Sequence, residues 1–202
     1  MPRLLDLFCG RWGWSRAFAA RGWECVGIDL IAPPEVPKGC EFLQGNVLEL
    51  TGDWFPTFDF IVASPPCENF SVHGMKNFHP NPPYPELGIK LFNHTRSLCE
   101  ASGVPYVIEN VRSAEYFVGD AVRHCGPFYL WGSAVPLLIN QGINKGMSQA
   151  RDRDANGKRI YAAAADRMWS TKRKQVVATI PPELANCVAD YAKRLLEQRT
   201  CA

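Results

Sequence analysis

Short apolar runs alternate with stretches of helical periodicity along much of the chain. Arg3–Phe8 (RLLDLF) is an apolar run that stops at a CGRWG turn, and helix-like spacing follows over Trp14–Arg21. Glu24–Asp29 (ECVGID) is a second short strand, closing on an acid. Phe58–Ala63 (FDFIVA) is a third, cut off at Pro65 because proline has no N–H for a sheet ladder. Tyr84–Ser102 predicts a helix, with Leu87, Leu91 and Leu98 recurring at helical spacing. Val104–Glu109 (VPYVIE) is the next strand, and Arg123–Leu138 predicts two short strands around a glycine-containing turn. Pro182–Arg199 opens on proline and carries Leu184, Val188, Tyr191 and Leu195 on one face of a helix. Alternating β and α elements with buried strands predict an α/β fold built on a doubly wound, mostly parallel sheet.

In such a sheet, ligands bind beyond the carboxyl ends of the strands. The unusual residues fall at those ends: Cys9-Gly10 after the first strand, Asp29 ending the second, Pro65-Pro66-Cys67 after FDFIVA, and Glu109-Asn110 closing VPYVIE. Composition narrows the classes. The chain has 202 residues, 47% hydrophobic and 21% charged, which is one domain with a real core and excludes disorder, collagen and coiled coil. No apolar run approaches the roughly 18 residues of a membrane span, so no membrane partner is expected. The N-terminus enters a strand at once, without a signal-peptide pattern. The eight cysteines form no CxxC pair and no zinc spacing, which predicts mostly free thiols in a reducing cytoplasm and no metal. Charge matters only in its distribution. Lys145–Lys174 holds nine Lys or Arg against three Asp, a local +6 in a chain of net +2. That concentration suggests a phosphate-facing surface or a solvated face, and Tyr161 and Trp169 within it could stack on bases or simply pack.

Three places carry candidate chemistry. In DLFCGRWG, Gly10 and Gly13 would let backbone approach a ligand, or simply make a tight βα turn; Asp29 could accept ribose hydroxyls. In SPPCENFS, two prolines stiffen the chain directly before Cys67, which suits a thiol that must be held in one place as a nucleophile. Glu109 ends a buried strand, where a carboxyl can exchange a proton with a bound ring or can face the helix beginning near Ser113. The prolines between Pro65 and Pro85 predict a long ordered loop, the kind that usually carries function.

Together these motifs, in this order, resemble the DNA (cytosine-5)-methyltransferase family. DLFCGRWG is similar to its first motif, with Trp12 in place of one of two glycines. The resemblance implies a Rossmann-like methyltransferase fold and S-adenosyl-L-methionine as cofactor, bound by Phe8, Gly10, Gly13, Asp29, Asn46 and Pro66. Gly45-Asn46-Val47 stands where the family has a Gly-Asp turn that reads adenine, and an Asn oxygen can still accept that bond. Pro65–Ser71 (PPCENFS) matches the nucleophile motif with Glu68 for the usual Gln, and Glu109-Asn110-Val111 matches residue for residue. Gln149–Arg153 (QARDR) fits a QxRxR pattern, which gives Arg151 and Arg153 roles against the target base and backbone. Ile180–Ala185 resembles the last motif without its usual Gly-Asn.

The resemblance also implies a chemistry and an organisation. Cys67 attacks carbon 6 of cytosine, Glu109 hydrogen-bonds the ring, and carbon 5 is methylated after the base is flipped out of duplex DNA. Residues 1–202 form a single methyltransferase domain, and 180–202 is a C-terminal helix returning to it. Only about 26 residues, 154–179, stand where the family carries a large recognition domain. That trimming is similar to phage-borne members, and it leaves room for an oligomer or protein partner. An RNA cytosine-5 methyltransferase and a non-catalytic nucleic-acid or cofactor-binding module remain as alternatives.

Overall fold

The computed structural model describes residues 1–67, 70, 85–137 and 180–200. Seven strands form one sheet in the order β3-β2-β1-β4-β5-β7-β6. They are β1 (Arg3–Leu7), β2 (Glu24–Asp29), β3 (Cys40–Gln44), β4 (Phe60–Ala63), β5 (Tyr106–Asn110), β6 (Arg123–Cys125) and β7 (Phe128–Trp131). β1 to β5 are parallel, and β7 and β6 close the far edge antiparallel. Helices α1 (Ser15–Ala19), α2 (Pro85–Ser102), α3 (Glu115–Val118) and α4 (Pro182–Thr200) cover the two faces. The mostly parallel, doubly wound sheet expected from the sequence is therefore the one observed, in its Rossmann-like form. Strand order reverses between β1 and β4, which opens a crevice beyond their carboxyl ends.

The central strands feed two cores by alternation. Leu4, Phe60, Val62 and Val107 pack under α1 and α4 with Phe18, Leu184 and Val188. Leu5, Leu7, Ile61 and Ile108 pack on the other face with Phe92 of α2 and Trp131. Both faces of the central strands are buried, so the strands read as continuous apolar runs. Asp6 interrupts the run in β1: it is buried, and Ser15 Oγ donates to its Oδ2 at 2.6 Å. Its Oδ1 has no hydrogen-bond partner among the described residues.

The strand that the pattern did not predict is β3. It is an edge strand whose Glu41, Leu43 and Gln44 are exposed, so no buried face imposed a hydrophobic alternation on it. FDFIVA begins pairing two residues late, at Phe60, and Arg3 N instead donates to the Asp59 carboxylate at 2.8 Å. On the helical face, Arg21 clamps α4 by donating from Nε and Nη2 to the Asp190 carboxylate at 2.7 and 3.0 Å. That guanidinium holds the Asp190 carboxyl below its ordinary range.

Candidate active site

The turn after β1 is left-handed at three places: φ is 62° at Phe8, 49° at Gly10 and 64° at Trp12. Glycine takes this conformation freely, whereas Phe8 and Trp12 adopt it at a cost of roughly 1 kcal/mol each. Trp12 N donates to Cys9 O at 2.7 Å and Cys9 N to Ile28 O at 3.1 Å, which closes the turn onto β2. The Trp12 indole is buried, and its Nε1 donates to Glu35 O at 2.9 Å. The ring lies over Gly27 of β2: a Cβ there would run into the indole and stand 2.8 Å from the Cβ of Cys9. A bulky residue in a turn that the resembling motif builds from glycine is thus accommodated by a missing side chain one strand away. At Gly13 a Cβ would come within 3.0 Å of Ile180 N. The missing Cβ of Gly13 therefore serves the packing of residue 180, a use that the turn reading did not foresee.

Asp29 ends β2 beside this turn. Gly10 N donates to its Oδ2 at 3.0 Å and Ile31 N to its Oδ1 at 3.2 Å. Each carboxylate oxygen keeps lone pairs, so a held, ligand-facing carboxylate can still accept hydroxyl donors. At the end of β3, Asn46 Oδ1 accepts from Leu48 N at 3.1 Å and its amide donates to Glu49 Oε1 at 3.0 Å. Asn46 caps a short turn while keeping one acceptor lone pair.

A cavity of about 310 Å³ opens here, and Phe8, Gly10, Gly13, Asp29, Asn46 and Pro66 all line it. Its size lies within the range of small-molecule sites. Its apolar wall comes from Leu30, Val47, Leu91 and Ile180, whose place in the cavity sequence reasoning had not foreseen. Leu91 read only as a position of helical spacing, and Val47 only as the last letter of a motif. Leu30 carried a usable signal: it is an exposed leucine directly after the acid that ends a strand.

The other wall of the site belongs to β4 and β5. Ala63 pairs with Ile108, so Ser64 and Glu109 follow at the carboxyl ends of adjacent strands. Glu109 is 6% exposed and Cys67 half-buried. Asn110, fully buried, donates from Nδ2 to Pro65 O at 3.0 Å, while its Oδ1 accepts from Val111 N at 2.9 Å. The acid's strand is thereby stapled to the proline turn two residues before Cys67. Trp14 Nε1 donates to Ser64 Oγ at 3.0 Å, and Phe70 N to Cys67 O at 3.0 Å. Asn110, Ser64 and Trp14 are positioning residues that the motif reading passed over.

Burial separates several of the other cysteines from a nucleophile's role. It pushes the thiols of Cys9, Cys99 and Cys187 up, Cys99 to about 12. The hydrogen bond to Cys40, with burial, raises Cys25 too. The same bond lowers Cys40, but Cys40 begins β3 and so sits at the end of the sheet away from the crevice.

Glu68, Asn69 and 71–84 lie outside the described residues, and so do Arg151, Arg153 and the basic stretch 145–174. Among the described residues no three His, Cys, Asp or Glu come together to hold a metal ion, and no helix is long and apolar enough to cross a membrane.

Comparison with known proteins adds to this geometry. The family described as C-5 cytosine-specific DNA methylase matches residues 2–114. The Type II methyltransferase M.AplI of Arthrospira platensis is 23% identical over 201 residues, which cover 95% of this chain and 53% of that protein. The chain thus spans about half the length of that curated relative. The structure of a Spodoptera frugiperda DNMT2 variant is 21% identical with a TM-score of 0.39, over 57% of this chain and 37% of that one. Schizosaccharomyces pombe Dnmt2 methyltransferase is 18% identical with a TM-score of 0.37, over 57% and 35%.

Proposed function

From the premise that the chain belongs to the C-5 cytosine-specific DNA methylase family, we propose that it methylates carbon 5 of cytosine in DNA through a covalent adduct at Cys67. The cofactor that goes with that family is S-adenosyl-L-methionine, and the residues of the cavity fit it. A carboxylate with acceptor capacity, a carboxamide oxygen and apolar walls suit a ribose, a purine amino group and a ring face. Asp29 would hold the ribose, Asn46 the adenine edge, Phe8 and Leu30 the ring, and Gly10, Gly13 and Pro66 the remaining walls. When bound, the cofactor supplies a methyl group made electrophilic by its sulfonium.

The observation that carries the reading is the reach of the cavity: Asp29 lines one part of it and Pro66, the neighbour of Cys67, another. Carbon 5 of cytosine is a poor nucleophile. Addition of Cys67 Sγ to carbon 6 makes the ring enamine-like. Glu109 hydrogen-bonds ring nitrogen N3 and the exocyclic amine and stabilises the charge that develops as sulfur adds. Once carbon 5 has taken the methyl group that the cofactor would supply, a base removes the carbon 5 proton and the bond between Cys67 Sγ and carbon 6 breaks, which restores the aromatic ring and frees the thiol. The Asn110 staple keeps acid and thiol in one frame, the precision such a step requires. The cytosine reaches this frame only after flipping out of the duplex, at a cost of a few kcal/mol. Arg153 would hold the flipped base and Arg151 a phosphate. Residues 1–202 would act as one cytoplasmic methyltransferase domain, 154–179 as a short recognition segment and 180–202 as its closing helix.

The test is bisulfite sequencing of DNA from cells expressing the wild type or Cys67→Ala. Protected cytosines are expected with the wild type alone. Equal protection by Cys67→Ala overturns the adduct. Tritium transfer to tRNA but to neither duplex nor single-stranded DNA reassigns the substrate.

A further inference from the structure

Two groups of surface aromatics lie one contact away from the Cys67 turn, and the chemistry derived above uses neither. The first is on the helical stretch that follows Glu109-Asn110-Val111. Tyr116 is 74% exposed and Phe117 38% exposed. Phe117 packs on Phe70 with ring centroids 5.7 Å apart, and Phe70 N is bonded to Cys67 O. Arg112, also exposed, lies four residues before Tyr116, on a 3₁₀ turn that runs into α3. The second group is on the antiparallel edge. His124 and Tyr129 stack with centroids 5.0 Å apart and planes 16° from parallel. Tyr129 pairs in register with Asn110, the residue that staples the Pro65 carbonyl.

We propose that Arg112, Tyr116 and His124, the last backed by its stack on the half-buried Tyr129, form a nucleic-acid contact surface bordering the nucleophile turn, where the exposed rings stack on bases flanking the target cytosine and Arg112 meets a phosphate. This rests on the function proposed above and supplies contacts apart from Arg151 and Arg153. An exposed tyrosine beside an exposed arginine has little packing role. Flat rings with an adjacent guanidinium match a strand that carries both base faces and phosphates. The surface is also continuous with the site. Phe117 reaches Cys67 through Phe70, and Tyr129 reaches Pro65 through Asn110, so a strand engaged here presents its next base to the thiol. Loss of a neighbour's stacking partner on base flipping leaves a base face for such a ring to cover.

The experiment measures anisotropy of a fluorescein-labelled, cytosine-containing DNA duplex with the full chain, beside calorimetric binding of S-adenosyl-L-methionine and tritium transfer. Tyr116→Ala and His124→Ala should each weaken duplex binding roughly tenfold, whereas Tyr116→Trp should bind as the wild type does. Arg112→Ala should weaken binding and lower the slope of log K against log salt by about one. Cofactor affinity should stay within twofold in all four, which shows them folded. Variants that transfer and bind DNA like the wild type overturn the surface alone. A wild type that binds the cofactor but neither binds nor methylates DNA overturns the functional reading, and the surface with it. A uniform loss that includes Tyr116→Trp assigns these residues to folding instead of contact and overturns the surface as well.

Discussion

From Phe8 to Asn46 the cavity is shaped mainly by backbone: three left-handed residues, N–H groups aimed at Asp29, and a glycine vacated for Trp12. From Ser64 to Asn110 side chains do the fixing: the Asn110 amide on Pro65 O, and the Trp14 indole on Ser64 Oγ. The difference fits the two jobs proposed for them. A small polar ligand is met by main chain that comes close to it, which turns provide. A covalent step at Cys67 would need one sulfur and one carboxyl held within a fraction of an ångström, which buried hydrogen bonds suit.

Exchanging the injury between the regions gives the largest effects. Asp29→Ala should raise the Kd for S-adenosyl-L-methionine about a hundredfold while leaving the rate at saturating cofactor within about tenfold. Asn110→Ala should do the reverse: a rate about a hundredfold lower with cofactor affinity nearly unchanged, because Pro65 O and Val111 N lose their partner. Calorimetry and single-turnover transfer read the two columns. Matching profiles for both variants would abolish the distinction.

Next in size is the pairing of Trp12 with Gly27. Gly27→Ala puts a methyl into the indole, and unfolding should be easier by about 3 kcal/mol in urea titrations. Measured against Trp12→Gly alone, adding Gly27→Ala should recover part of that loss: the same methyl should cost clearly less once the ring it meets is gone. No recovery would mean that Gly27 serves the Cys9 contact alone.

The two regions also differ in how legible they were. Asp29, Gly10, Cys67 and Glu109 stand at strand ends, where apolar runs stop abruptly, and the sheet itself follows from those runs. β3 gave no such signal, because an exposed edge strand has no buried face to enforce alternation. Asn110 was visible as a letter in a motif, but its work depends on Pro65, 45 positions away. Gly27 and Trp12 likewise acquire meaning only as a pair across two strands. Long-range side-chain partners are not written in any local period.

Smaller again is the effect of the half-satisfied acid inside β1, just before the first region. Burial, partly offset by the Ser15 hydrogen bond, raises Asp6 from 3.8 to about 7. The folded state therefore holds a proton that the unfolded state has released between these values. Stability from this group is complete below pH 3.8 and is lost as pH rises toward 7. A shift of that size converts to a few kcal/mol, and relaxation around the carboxylate leaves about 2. Asp6→Asn keeps an acceptor for Ser15 and no charge, so it should flatten the urea-midpoint profile between about pH 4 and 7 by about that amount. A variant as pH-dependent as the wild type would move the titration elsewhere.

The smallest expected effect concerns a hydrogen bond that joins the two regions. Trp14 follows the left-handed turn, its indole is buried, and its Nε1 donates to Ser64 at the start of the proline turn. Trp14→Phe removes the donor and leaves a gap; Ser64→Ala removes the acceptor and strands the buried N–H. Each should cost about 1–2 kcal/mol, and their sum should exceed the double variant's cost by about 1 kcal/mol, the coupling of a buried neutral hydrogen bond. The same cycle run on cofactor affinity decides how the regions communicate. If Ser64→Ala weakens S-adenosyl-L-methionine binding only when Trp14 is present, the indole transmits the position of the nucleophile turn to the cofactor turn. If both cycles are additive, pairing of β1 with β4 alone holds the two halves of the site together.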